Sequence, residues 1–277
     1  MKTLLSAFAL ACSSFAAVAQ TAEPKFTMSC DEGRHSYSYN GSRNEQYCET
    51  RDLTMNAPAN GKPLSIDGGA NGGVAVHGWA GSTVRIRVKI TSWANSAAEA
   101  QALVKAVAIG TANDQLQADV LGRDKGYSVS YEVFVPRQTA LAVNTLNGGI
   151  SLNNLQSDVK FQATNGSVSL ANLGGQVTGR TVNGGLSIVL SGSKWDGKGL
   201  DVETTNGGIS WMLPDNYSAQ LFTSTDMGSI RTELPVTKTG FMHKEVVASL
   251  GKGGAPVKAV TTNGGIHVRR LGNLRKL

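Results

Sequence analysis

The side chains able to do chemistry are few and scattered. Asp201 and Glu203 stand two residues apart on a segment that reads as one strand, so they share a face. Carboxylates held close together are the working pair of glycoside hydrolysis. Exposed on a strand they are an ordinary solvated face, which is the reading adopted. His35, His77, His243 and His267 lie far apart, and neither a Gly-x-Ser-x-Gly elbow nor a His-Glu-x-x-His pair occurs. Gly192 to Lys198 matches a phosphate loop until its last position, where Gly199 replaces the Ser or Thr that would hold magnesium. No catalytic residue, cofactor or metal site is assigned.

Two further groups invite a role. Trp195, Trp211 and Tyr217 would make an aromatic patch for sugar rings if all three were exposed. Cys30 and Cys48 are the two cysteines outside the N-terminal apolar stretch, and in an exported chain such a pair reads as a disulfide. A zinc site using His35 between them matches no common ligand spacing.

What would position these groups is a repeat. Thr145-Leu146-Asn147-Gly148-Gly149-Ile150-Ser151-Leu152 returns around Asn165, Asn183, Asn206, Met227 and Asn263, the first three copies 18 residues apart. An early copy stands at Asn71-Gly72-Gly73-Val74-Ala75-Val76, where Asp67 to Gly72 resembles a calcium-binding glycine-rich turn. That Asp does not recur, so the segment reads as a turn at Asn71. Six residues before each Asn (or Met227) the residue is aliphatic, and two before it is Thr or Ala. Three after, Ile150, Val168, Leu186, Ile209, Ile230 and Ile266 are aliphatic again.

Inward positions two apart are strand periodicity. The Asn-Gly-Gly between runs predicts a sharp corner through backbone of positive φ. A hairpin is excluded because both flanks repeat in one direction and one register. The chain is therefore expected to be all-β: a parallel β-solenoid of coils of about 18–23 residues, with three short faces per coil and one short capping helix. One coil buries too few side chains to fold alone, so the coils must stack.

In chain order, residues 1–19 read as a secretory signal, with Lys2 as the only charge and Ala17-Val18-Ala19 as the cleavage site. A lipoprotein signal ending at Cys12 is the rival. Residues 20–62 form an extension stapled by the predicted disulfide. Residues 63–140 hold N-terminal strands, among them Val84 to Ile90, and a helix. Ser96-Ala97-Ala98-Glu99 is a capping box, and the helix is expected to run to Gly110 as a lid over the core. Residues 141–277 carry the coils, with insertions at 191–199, 214–219 and 235–256 that map to loops. No run beyond the signal is long enough to span a bilayer.

The basic alternating strand, the Ala- and Glu-bearing helix, the strand ending Phe134-Val135-Pro136-Arg137 and the Thr-x-Asn-Gly-Gly repeats together resemble a bacterial family of putative adhesin domains, over about residues 60 to 270. The resemblance implies a β-solenoid with a role at the cell surface and no catalytic residues to carry over. The cysteine-bearing extension and the long later loops depart from that pattern.

Charge is uneven. The chain is +6, and from Lys244 onward seven Lys or Arg (244, 252, 258, 269, 270, 275, 276) face one acid, Glu245. That end reads either as a docking site for anionic groups or as a solvated terminal cap. With Trp195 and Tyr217, Arg269 and Arg270 form the candidate binding surface. The expected function is a non-catalytic, adhesin-like or structural module, exported to the periplasm or cell surface, with a cell-envelope glycan or another envelope protein as partner. The alternative is a β-helical polysaccharide lyase or hydrolase. Nucleic acid is disfavoured by export and by the lack of a recognition motif.

Overall fold

Short strands with alternating burial, joined by tight corners, make up most of the molecule. The computed structural model describes residues 23–30, 37–39, 42–59, 61–120, 126–236, 239–240 and 243–272. The signal segment 1–19, Cys12, His35, Arg275 and Lys276 lie outside the described residues. The N-terminal part contributes β1 (Tyr37–Tyr39), β2 (Ser42–Asn56), β3 (Leu64–Asp67), β4 (Val74–Trp79), β5 (Thr83–Ala94), α1 (Ala97–Ala106), β6 (Val107–Gly110), β7 (Gln115–Val120) and β8 (Tyr127–Pro136). Each repeat then supplies a pair of strands. These are β9 (Leu141–Asn147) with β10 (Ile150–Asn153), β11 (Val159–Asn165) with β12 (Val168–Ala171), and β13 (Gln176–Asn183) with β14 (Leu186–Val189). Next come β15 (Gly199–Asn206) with β16 (Ile209–Leu213), and β17 (Ala219–Met227) with β18 (Ile230–Thr232). After the single strand β19 (Lys244–Leu250) come β20 (Pro256–Asn263) and β21 (Ile266–Arg270), the last strands among the described residues.

These strands form two mixed, mostly parallel sheets and no closed barrel. The first runs β1-β2-β5-β8-β4-β10-β12-β14-β16-β21-β18, and the second β19-β17-β20-β15-β13-β11-β9-β3-β7-β6. Equivalent positions pair in register: Ile150 opposite Val168, Val168 opposite Leu186, Leu186 opposite Ile209. All six aliphatic residues three after the Asn are at most 3 % exposed. The core is thus two facing columns of side chains between the sheets, continuous from Val84 to Val268.

Four expectations need correction. Two sheets form where three faces were expected, because the third side is a turn joined only by isolated bridges such as Gln156 to Gly174. The copies do not stack in chain order: β20 pairs with both β15 and β17, and β21 with both β16 and β18. The last copy therefore fills a slot between two earlier ones, and β18 and β19 are the edges of the two sheets at that end.

The third correction concerns the motif glycines, none of which has the positive φ expected at the corner. The first Gly is required by coil-to-coil approach instead. A Cβ on Gly166 would lie 1.9 Å from the Gly148 carbonyl oxygen, and one on Gly207 2.1 Å from that of Gly184. Last, α1 is capped as expected, Ser96 Oγ accepting from the Glu99 N–H at 3.3 Å, but it ends at Ala106. Arg51 of β2 donates to the Val104 and Val107 carbonyls, and the chain continues into β6 rather than to a helix end at Gly110.

The repeated Thr and Asn make the corner. Thr181, Thr204 and Thr261 each donate a hydroxyl to the carbonyl of the first Gly in the neighbouring coil, at 2.7–2.8 Å. Beside them the amides of Asn147, Asn165, Asn183, Asn206 and Asn263 form a ladder, each Nδ2 donating to the Oδ1 of the coil before at 2.7–2.9 Å and Asn147 reaching Asn71 at 3.2 Å. An amide is both donor and acceptor, so one residue type continues the row indefinitely. Met227 occupies the Asn position in the next coil, ends the row, and is 65 % exposed.

Candidate functional site

Because inward positions are fixed by the core, any site must use the outward rows. On the second sheet these rows are charged. Lys160, Thr178, Asp201 and Lys258 face one another across β11, β13, β15 and β20, and Gln162, Arg180 and Glu203 form the adjacent row. Neighbouring members of a row stand about 4.8 Å apart along the hydrogen-bonding direction. Small residues in β13 open a depression of about 420 Å³ lined by Lys160, Gln162, Thr178, Arg180, Asp201, Glu203 and Lys258. Its floor is set from inside, since a Cβ on Gly179 would fall 2.5 Å from the Phe161 ring. That ring fills the core beneath β13.

Asp201 and Glu203 are thus brought to one face, as their spacing predicts. Both are exposed, and Lys258 Nζ lies 3.3 Å from an Asp201 oxygen. General-acid work needs one carboxyl held in apolar surroundings, and this face provides none. What it does provide is alternating donors and acceptors on a rigid, open lattice. Among the described residues no group of three or more His, Cys, Asp or Glu is placed to hold a metal ion.

The first sheet's outward row is different: Ala75, Ser151, Ser169, Ser187 and Ser210, ending at His267 and Arg231. On the turn side, Asn154 and Asn172 adopt left-handed backbone, φ 59° and 50°, and form a second amide step of 2.9 Å. With Arg137, Gln156, Ser191 and Asp196 they line a polar hollow of about 670 Å³. Their 18-residue spacing, the same as that of the main ladder, was the signal that could have found them.

The candidate surface read from sequence is dispersed. Trp195 is 5 % exposed and donates its indole N–H to the Gly175 carbonyl at 3.0 Å. Tyr217 is 3 % exposed, and burial pushes its phenol up to about 12. Both pack into the core under the insertion loops, so neither offers a face to sugar. Trp211 is fully buried, donating to Thr223 Oγ1, as its repeat register predicts. Arg270 is tied to Asp215 by its guanidinium and to Glu233 by its backbone N–H. Arg269 is exposed and donates to His267 Nδ1 at 3.4 Å. The basic segment is divided: β19, which carries Lys244, is a sheet edge, whereas β20 and β21 lie inside the sheets and deliver Lys258 to one face and Arg269 to the other. The cysteines do meet: Cys30 and Cys48 form a disulfide with Cα atoms 5.8 Å apart.

Sequence reasoning missed one arrangement entirely. Residues 23–30 lie along the outer face of β5 and β8, where the buried Glu132 carboxylate accepts from the Thr27 and Met28 backbone N–H groups and the Thr27 hydroxyl. A lone Glu in an alternating strand carries no signal of this role. Nearby, the Arg87 fork holds the Asp52 carboxyl below its usual range, and burial lowers His77 against a smaller opposing pull from Glu132.

Residues 137–269 match the model of the Toastrack DUF4097 family. No curated protein matches the chain. Among solved structures it is similar to a putative cell adhesion protein from Clostridium sporogenes, at 11 % identity and TM-score 0.42, covering 80 % of this chain and 100 % of that one. A putative adhesin from Bacteroides fragilis matches at 10 % identity and TM-score 0.37, over 81 % and 97 % of the two chains. A putative lipid binding protein from Parabacteroides distasonis matches at 11 % identity and TM-score 0.30, over 80 % and 97 %. Likeness at these levels carries no argument about what this chain does. No helix among the described residues is long and apolar enough to cross a membrane.

Proposed function

We propose that the protein is an exported β-solenoid that serves the cell envelope as a non-catalytic binding module, holding an extended, carboxylate-bearing glycan along the open face of its second sheet. The observation that carries this reading is the charged lattice itself. Lys160, Arg180 and Lys258 offer cations for sugar carboxylates, and Gln162, Asp201 and Glu203 offer acceptors for sugar hydroxyls, all on parallel strands in register. Individually exposed contacts of this kind are weak. Repeated at a fixed spacing on a rigid surface, they sum along a polymer. The sequence likeness to adhesin domains and the disulfide support a place outside the cytoplasm.

The test uses purified full-length mature protein and a panel of neutral and uronate-containing polysaccharides, with and without calcium. Retention of protein on uronate polymers with no release of reducing ends or unsaturated products is the expected result. Turnover that survives repurification and disappears in the Asp201→Asn, Glu203→Gln variant would overturn the binding reading in favour of the lyase or hydrolase.

A further inference from the structure

Segment 23–30 behaves as a bound ligand more than as part of the fold. None of its residues joins the buried core, and the strands beneath it complete their sheet without it. Its contacts read a peptide in extended form. Glu132, on β8, is 2 % exposed; its Oε2 accepts from the successive Thr27 and Met28 backbone N–H groups, and its Oε1 shares the Thr27 N–H and accepts the Thr27 hydroxyl. One residue earlier, Phe26 packs edge-on against Phe134 with centroids 5.3 Å apart and 70° between planes. His77 stacks on Phe134 at 5.1 Å, and the Arg87 guanidinium lies 4.6 Å from the Phe26 centroid. Arg87 is itself fixed by a two-pronged bond to Asp52 at 2.7 Å, so the cation is positioned before the peptide arrives. Arg85 meets Glu23 at the outer end at 2.6 Å.

A carboxylate that accepts two main-chain donors, beside an aromatic slot with a fixed cation, is a recognition site for peptide backbone and one ring. It does not depend on the segment being attached. We propose that the outer face of β5, β8 and β4 is a peptide-binding site. Its ligand is an extended segment with an aromatic side chain immediately before two consecutive backbone N–H groups, supplied in trans by the same segment of a second copy of this chain. The resident segment shows that the sequence fits, and every copy carries both halves. In the closed monomer the resident segment has the advantage of attachment, reinforced at its far end by the Cys30–Cys48 bond.

The experiment measures fluorescence anisotropy of a labelled peptide of residues 23–29 against full-length chains. The Phe26→Ala chain, whose resident segment loses its ring but no core contact, should bind the peptide at least tenfold more tightly than wild type, where the resident competes. Adding Glu132→Gln to that chain should lower affinity at least tenfold, and a peptide carrying the same Phe→Ala change should not bind. In sedimentation velocity, a Cys30→Ser, Cys48→Ser chain should form concentration-dependent dimers that Glu132→Gln abolishes. Circular dichroism melting checks that each variant is folded. Equal peptide binding by wild type and Phe26→Ala, no binding by either, or a cysteine-free chain that stays monomeric at all concentrations would overturn the proposal.

Discussion

The outward faces of the two sheets differ although their inward registers are alike. On the first sheet the row reads Ala75, Ser151, Ser169, Ser187, Ser210; on the second it reads Lys160, Thr178, Asp201, Lys258. Inward positions on both sheets are mostly aliphatic or Thr, with Tyr131, Phe161 and Trp211 among them, and are almost fully buried. Packing dictates the inside and leaves the outside free, so the regular coils carry a small, neutral row on one sheet and a charged row on the other. Among the described residues, segment 23–30 partly covers the first face.

The sharpest way to break this inside-outside division is to put one charge on either side of it. Ile150 is 1 % exposed in the hydrophobic core, so Ile150→Asp should cost at least about 4 kcal/mol, enough to unfold the stack. Ser151→Asp, the next residue, faces out and should stay within about 0.5 kcal/mol. Urea denaturation of both variants gives the difference, and equal losses would mean the register is misread.

The motif glycines sharpen the comparison within one corner. Gly166→Ala drives a methyl to 1.9 Å from backbone and should cost about 3 kcal/mol, as overpacked sites do. Gly265→Ala meets its nearest atom at 3.6 Å without a left-handed φ and should fall within about 1 kcal/mol of wild type, on either side. Thermal melts separate the two, and a large loss at Gly265 would contradict close approach as the reason for the first Gly. Smaller again, Asn183→Ala removes two amide bonds from the exposed ladder and should cost about 1 kcal/mol.

The smallest effect belongs to the covered face. His77 has its folded pKa lowered from 6.5, first by burial, so the folded state favours the neutral ring. Stability from this group is complete above 6.5 and is lost as pH falls below 6.5 toward the folded value, where the unfolded chain takes up the proton first. Melting temperature should therefore drop on acidification through that window, and His77→Gln should flatten the drop. An unchanged slope would remove His77 as its source.

Much of the core was legible because it repeats. Thr-x-Asn-Gly-Gly, with the same flanking register in each copy, fixes which residues point inward, and those columns are buried. What repetition does not encode was not legible. The slot taken by β20 and β21 is a choice of neighbour among six nearly equivalent coils, and no local pattern distinguishes β15 from β17 as a partner. The role of the glycines was assigned to backbone freedom, while the clash that demands them lies between coils and is invisible in one copy. Trp195 and Tyr217 looked available because their loops lack the repeat, yet loops also fold their aromatic residues onto the core. Glu132 and segment 23–30 meet across about a hundred residues through backbone donors, which leave no side-chain signature.

The central claim is that the charged face of the second sheet is the one that binds. The most direct test compares retention on immobilised polygalacturonate of wild type, a Lys160→Glu, Arg180→Glu variant and a Ser169→Glu, Ser187→Glu variant, each first shown to melt like wild type. Both variants add negative charge, but the first also removes two of the three cations, leaving Lys258. The account predicts at least a tenfold loss of affinity for the second-sheet variant and less than a twofold change for the first-sheet variant. Equal loss in both, or loss confined to the serine face, would contradict it.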